Sequence, residues 1–337
     1  MDNLSLQRKV FDLIQEKFSK RSEAVEVLTG LLSVGKNAIY RRLRGDSLLT
    51  LGELYLLIQH FDLPVDAIFY DKNDKIIFSY SFFTRQIFHL SDYIEQVYED
   101  TLKIQQLGEV QVFYSSQEIP VFLYFVSPEL FAFKMYIYAL VYWDIPYISD
   151  KKFRVDFISP EITAQASKIA SIYNMLPSRE LWNTRMIDNT LNQIEYLASI
   201  DQFEHPEEAI KLCDALSNLM DHARNMASHG KKFSPNSTFD SPGQRFDLYI
   251  NEFSRTNDTI LITSTDSKTL FTTFGTPNFL RTSDAKLCDQ VEEWFQSIIS
   301  RSTSISFHSS RDREYLFNHM KKRIQKTKKR IDQLLKT

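Results

Sequence analysis

The stretch Ser33-Val34-Gly35-Lys36-Asn37-Ala38-Ile39-Tyr40-Arg41-Arg42-Leu43-Arg44-Gly45 decides how the chain is read. Ile39 and Leu43 are four residues apart and share one helical face, whereas Lys36, Asn37, Tyr40, Arg41 and Arg44 share the other. No acidic residue interrupts the run. A short helix with an apolar back and a front of cations, an amide and a phenol suits the major groove of DNA. Arginine and lysine fork onto guanine, asparagine onto adenine, and the remaining cations neutralise phosphates. Basic helix faces are more often merely solvated, so the flanking sequence has to decide.

Upstream, Val10, Leu13, Ile14 and Phe18 mark an amphipathic first helix, and Val25, Leu28 and Leu32 mark a second over 22–32 with Thr29 at a tight contact. Ser33-Val34-Gly35 is the turn into the basic helix. Downstream, Thr50 and Glu53 form a capping box for a fourth helix carrying Leu54, Leu57, Ile58 and Phe61. The run 63–69, Leu-Pro-Val-Asp-Ala-Ile-Phe, reads as a proline-started fifth helix. Five short helices in residues 1–70 predict a compact helix-turn-helix domain.

Residues 10–69 resemble the repressor-type helix-turn-helix domain of bacterial and phage regulators, often called the Xre family. The matching run extends from Val25 to Gly45, with Ala38-Ile39-Tyr40-Arg41-Arg42-Leu43-Arg44-Gly45 its most similar piece, and continues through the fourth helix to the 63–69 ending. In the family pattern the turn usually holds glycine where this chain has Ser33, and the recognition helix usually starts with Ser or Thr where this chain has Gly35. Glycine is an acceptable N-cap. The resemblance implies a homodimer on double-stranded DNA, with paired recognition helices on half-sites about one DNA turn apart. Gly35, Lys36, Asn37, Tyr40, Arg41 and Arg44 are its candidate DNA-binding residues, and Arg42 reads as a phosphate or solvent residue.

Composition bounds the remainder. At 337 residues the chain has room for two or three domains, and 43% hydrophobic with 25% charged residues is ordinary for a globular protein. Two cysteines, Cys213 and Cys288, lack metal spacing, and Met1-Asp2-Asn3-Leu4 has no basic-then-apolar signal, so a cytoplasmic protein is expected. The net charge of −3 conceals segregation. Residues 1–70 hold nine Lys/Arg and nine Asp/Glu, and residues 311–337 hold ten and three, which leaves net −10 for the stretch between. An acidic body with basic stripes repels nucleic acid except where it touches.

After the first domain, two regions are expected: 71–230, α-rich with short strands, and 231–337, a three-stranded meander followed by two helices. Residues 76–84 read as a strand or packed connector. Helices are expected at 92–107, 130–143, 160–173, 184–199, 206–227, 283–300 and 311–335, and strands at 109–114, 120–126, 153–158, 246–253, 259–264 and 269–274. The 130–143 helix is apolar apart from Lys134, too short to span a bilayer, and reads as buried. Residues 228–244 read as a loop. The fold class is thus mainly α: a five-helix DNA-binding domain and a larger α+β body with small antiparallel sheets.

No Gly-x-Ser-x-Gly, Walker loop, dinucleotide fingerprint or His-Glu-x-x-His occurs, and no recognisable acid–base pair, so no enzyme and no cofactor are expected. His222 and His229 are seven apart without a further ligand at metal spacing, so no metal site is expected either. The aromatic cluster over 113–147 either lines an effector pocket or is core between a sheet and a helix. A small-molecule or protein effector is left open and unidentified. The sequence therefore points to a DNA-binding transcriptional regulator, no membrane protein, with a C-terminal dimerisation and sensing region. A protein–protein adaptor that has lost sequence-specific DNA binding is the alternative, and the four cations of the basic helix speak against it.

Overall fold

In the computed structural model, residues 2–336 are described except 16, 19, 62, 64–75, 81–88, 144, 253–257 and 274–276. The chain divides into two units, 1–77 and 78–337. The first contains α1 (Asn3–Gln15), α2 (Arg21–Leu32), α3 (Lys36–Arg44) and α4 (Leu51–Phe61). Their apolar stripes close on one another, with Val10, Ile14, Leu28, Ile39 and Leu57 fully buried. Apart from the buried Leu63, the helix expected at 63–69 lies outside the described residues.

Among the described residues, one mixed sheet of eight strands organises the second unit. Its order is β1 (Ser79–Tyr80), β7 (Phe279–Thr282), β6 (Lys268–Thr273), β5 (Thr259–Thr263), β2 (Gln111–Ser115), β3 (Ser178–Trp182), β4 (Phe246–Ile250), β8 (Thr303–Ser304). β2–β3 and β3–β4 are parallel and all other neighbours antiparallel. Parallel neighbours need long crossovers, and helices supply them. Between β2 and β3 run α6 (Val121–Tyr124), α7 (Pro128–Tyr138), α8 (Pro146–Ser149) and α9 (Pro160–Asn174). Between β3 and β4 run α10 (Asp188–Ser199) and α11 (Glu208–His229). The remaining helices are α5 (Leu90–Gln105), which precedes β2, and α12 (Ala285–Ser300) and α13 (Ser310–Leu334), which close the chain. Side chains alternate along β2, so Val112 and Tyr114 join a cluster with Tyr173 and Ile260, while Phe113 joins one with Leu181, Leu261 and Phe295.

The fold is mainly helical with a mixed sheet, and several details depart from expectation. The small antiparallel sheets are one sheet, and the boundary expected at 230 is absent because β3 and β4, on either side of it, pair directly. The strand expected at 120–126 is helix α6, which Pro120 can start because it needs no N–H there. At 153–158 only Phe153 bridges to a partner, Phe203, and Val155–Phe157 is a 3-10 turn. The antiparallel meander consists of β5, β6 and the unanticipated β7, with β4 elsewhere in the sheet. The helix expected at 130–143 is buried along α7 and continues as a π turn, Ala139–Trp143. Its one charge, Lys134, is 1% exposed and donates to Glu118 Oε2 at 2.7 Å and Gln193 Oε1 at 3.1 Å. Among the described residues no helix is long and apolar enough to cross a membrane.

Two further features fix the body. Helix α13 lays Leu316, Met320, Ile324 and Ile331 into the main core. Its flanks pair with α10 and α11: Arg323–Asp188 at 2.7 Å, Arg330–Glu195 at 2.6 Å, Lys328–Asp214 at 2.5 Å and Lys321–Asp221 at 3.2 Å. The segment 228–244, expected to be a loop, is pinned by Lys232 and Phe233, each 1% exposed. Lys232 Nζ donates to the carbonyls of Tyr173 (3.3 Å) and Leu176 (2.9 Å), capping the negative end of α9, and lies 3.4 Å from the centre of the Tyr173 ring. The backbone returns so closely that a Cβ on Gly243 would meet the Lys232 carbonyl at 1.8 Å.

Burial pushes the Lys232 ammonium down to about 7 from 10.5, with the charge of Glu180 pulling upward. Between those two values the unfolded chain holds a proton that the folded chain lacks, so the contribution of Lys232 to stability rises with pH across that window. From pH 7 to pH 9 the stability of the native protein should therefore gain about 2 kcal/mol relative to Lys232→Met, measured by urea unfolding. Parallel pH profiles for the two proteins would contradict the assignment.

Candidate nucleic-acid interface

The first unit presents α3 through two local closures. At the end of α2, Ser33 takes the left-handed conformation (φ 53°, ψ 39°). Its N–H donates to the Gly30 carbonyl, and the Val34 N–H donates to the Thr29 carbonyl, each at 3.3 Å. Serine occupies this conformation at a cost of about 1 kcal/mol that glycine avoids. Thr29 Oγ1 donates back to the Val25 carbonyl at 2.7 Å, so its hydroxyl is satisfied within α2. At the other end of α3, Gly45 has φ 86°, and the Asp46 N–H donates to the Arg41 carbonyl at 2.8 Å.

Between these closures, Ile39 is fully buried and Leu43 half-buried, whereas Gly35, Lys36, Asn37, Tyr40, Arg41 and Arg44 are exposed. All six sequence-predicted residues are thus open to solvent. Among the described residues, no ion pair or side-chain hydrogen bond engages Lys36, Asn37, Tyr40 or Arg41. Gly35 supplies no side-chain cap, and the first turn contains no acidic residue, so the positive end of the helix dipole is open to an anion. Arg44 Nε lies 2.8 Å from Asp46 Oδ2 in an exposed pair, an interaction worth little that a phosphate can replace.

Arg42 departs from the expectation of a phosphate or solvent residue. Its guanidinium turns back to Glu53 Oε1 at 2.6 Å, both side chains 14% exposed, and Nη1 also reaches the Ala38 carbonyl at 3.3 Å. Glu53 meanwhile completes the expected capping box: its Oε2 accepts from the Thr50 N–H at 2.8 Å, and its own N–H donates to Thr50 Oγ1 at 3.2 Å. Burial raises the Glu53 carboxyl, but the Thr50 N–H and Arg42 outweigh it and hold the group below the usual carboxylate range. Arg42 therefore locks α3 onto the start of α4.

Gln7 is a residue that sequence reasoning missed. Buried on α1, it donates through Nε2 to the carbonyls of Arg42 (2.7 Å) and Ser47 (2.9 Å) and accepts from the Leu49 N–H at 2.7 Å. It ties the end of α3 and the following loop to α1. The signal was available, because Gln7 is the one amide on the stripe Gln7, Val10, Phe11, Ile14.

The other sequence candidates do not converge on a site. In the aromatic cluster, Phe113, Tyr114, Tyr124, Phe133 and Tyr136 are core, and Tyr142 and Tyr147 are exposed. An open cleft of about 960 Å³ takes Tyr136 and Tyr147 into its wall, and there Arg154 already pairs with Asp156 at 2.6 Å. His229 stacks on Phe239 while His222 meets Phe233 edge-on. Among the described residues no three His, Cys, Asp or Glu side chains gather as metal ligands. No family model, curated protein or solved structure matches the chain.

Two substitutions with opposite signs test this scaffold. Ser33→Gly should raise the opening free energy of the first unit by about 1 kcal/mol by releasing the left-handed serine. Gln7→Leu should lower it by about 2 kcal/mol, because the Leu49 N–H and the Ser47 carbonyl lose the Gln7 amide and the Arg42 carbonyl keeps only the Gly45 N–H. Native-state hydrogen exchange at the α2 and α3 amides reads both, and a stabilised Gln7→Leu protein would refute the tie.

Proposed function

We propose that this chain is a sequence-specific DNA-binding regulator of transcription. In this reading α2, the Ser33 turn and α3 form a helix-turn-helix whose second helix enters the major groove. The carrying observation is the division of α3: Arg42 is consumed by Glu53, whereas Lys36, Asn37, Tyr40 and Arg41 remain exposed without side-chain partners among the described residues. Asn37 and Arg41 read base edges, and Lys36, Arg44 and the Gly35 N-terminus grip phosphate. Tyr40 packs against a thymine methyl or a phosphate. A single helix of nine residues covers few base pairs, so the protein acts as a homodimer in which the body couples two heads.

One observation favours the adaptor alternative. Leu51, 83% exposed, and Tyr55, one turn further along α4, present apolar surface of the kind a protein partner covers. Anisotropy titration of the full chain against genomic duplexes, repeated across salt, separates the readings. A regulator prefers one fragment; an adaptor binds all of them feebly. On the preferred fragment, Asn37→Ala and Arg41→Ala should each cost roughly 1–3 kcal/mol and relax one position of the site. Arg44→Ala should weaken all sequences alike and lower the salt slope by about one. Undiminished preference in the Asn37→Ala/Arg41→Ala double variant, with circular dichroism unchanged, would remove α3 from the interface.

A further inference from the structure

Helix α13 carries a second charged surface that its docking does not use. Around its circumference the cations divide sharply. Arg313 is buried and donates to the carbonyls of Ile305 and Phe307 at 3.0 Å each. Lys321, Arg323, Lys328 and Arg330 meet carboxylates of α10 and α11. Lys322, Lys326 and Lys329 are left, spaced four and three apart on the outward face, all exposed and, among the described residues, in no ion pair. Arg311, Tyr315 and Asn318 continue the same ridge toward the start of the helix and are also exposed.

Three like charges at this spacing repel one another by a few tenths of a kcal/mol per pair, and no acidic residue lies between Lys322 and Lys329 to relieve them. The stretch 71–310 carries net −10, so carboxylates were abundant and still were not placed here. The three lysines span about 10 Å of helix, over which one DNA strand presents about three charges. The ridge also repeats the residue types on the front of α3: cations, an amide and a phenol. A lipid surface fits poorly, because the apolar stripe that a membrane helix would insert is already buried in the core.

We infer that the outward ridge of α13, centred on Lys322, Lys326 and Lys329, binds the phosphate backbone of duplex DNA without reading sequence. The identity of the polyanion rests on the DNA-binding reading of α3; the ridge and its charge do not. In the full chain, Lys322→Gln/Lys326→Gln/Lys329→Gln should weaken binding to a random duplex at least tenfold and flatten the salt slope by two to three. Sequence preference and melting temperature should stay unchanged, and arginine at all three positions should restore affinity. The same loss should appear when α3 already carries Asn37→Ala/Arg41→Ala. If that α3 variant keeps full sequence preference while the lysine variant still loses affinity and salt dependence, the reading of α3 fails and the ridge stands. Unchanged affinity and slope in the lysine variant overturn the inference. So does a loss confined to vesicles of anionic phosphatidylglycerol, with duplex binding intact.

Discussion

A buried carboxylate sets the terms for the larger unit. Glu180 lies on β3, between two parallel neighbours, and is 1% exposed. A carboxylate in such a place is destabilising by several kcal/mol unless its oxygens are hydrogen-bonded. Three side chains meet that demand: the Tyr173 hydroxyl, Ser178 Oγ at 2.9 Å and Trp182 Nε1 at 3.0 Å. The tyrosine links β3 to α9, stacks on Phe122 with centroids 4.3 Å apart, and carries Lys232 over its ring. Sheet, crossover helix and the segment after α11 are thereby held by one polar cluster. Within the aromatic core the charged side chains Lys134 and Glu180 are each held by hydrogen bonds.

In the first unit the same economy separates structural from available groups. Of the four cations of α3, Arg42 works inward against Glu53, and Arg44 makes only an exposed pair with Asp46. Gln7 satisfies backbone groups of the α3–α4 loop from behind. Side chains that fix the helix are therefore distinct from those it presents to solvent. The exposed side of α3 can then change its residues without loosening the helix's support.

What was legible in the sequence follows from how local each signal is. The four helices of the first unit, the Thr50–Glu53 capping box and the exposed front of α3 depend on spacings of three and four residues, which sequence displays directly. The docked stripe of α13, Leu316, Met320, Ile324 and Ile331, rests on the same short spacings, and it ends before Leu334, which is 43% exposed. Arg42 was misread because its partner lies on another helix and spacing cannot distinguish an inward from an outward arginine. Strand β3 escaped notice because Arg179 and Glu180 break the apolar run expected of a parallel strand buried on both faces. The single mixed sheet was invisible for a related reason: β2 pairs with strands far along the chain, and no short-range pattern records that.

That distant pairing gives the protein a timetable during synthesis. Residues 1–77 form a unit by themselves, complete once translation has passed them. Strand β2 must wait for β3 and then for β5, and helices α10 and α11 lack their partner until α13 arrives with Leu316, Met320 and Ile324. At ordinary ribosomal speeds the interval between the two units is roughly 10–50 s. Through that time the nascent chain carries a finished head above an unfinished and very apolar body. Dependence on chaperones should therefore concentrate in the segment from α7 to α13, and a ribosome stalled before α13 would release a folded head on an aggregation-prone tail.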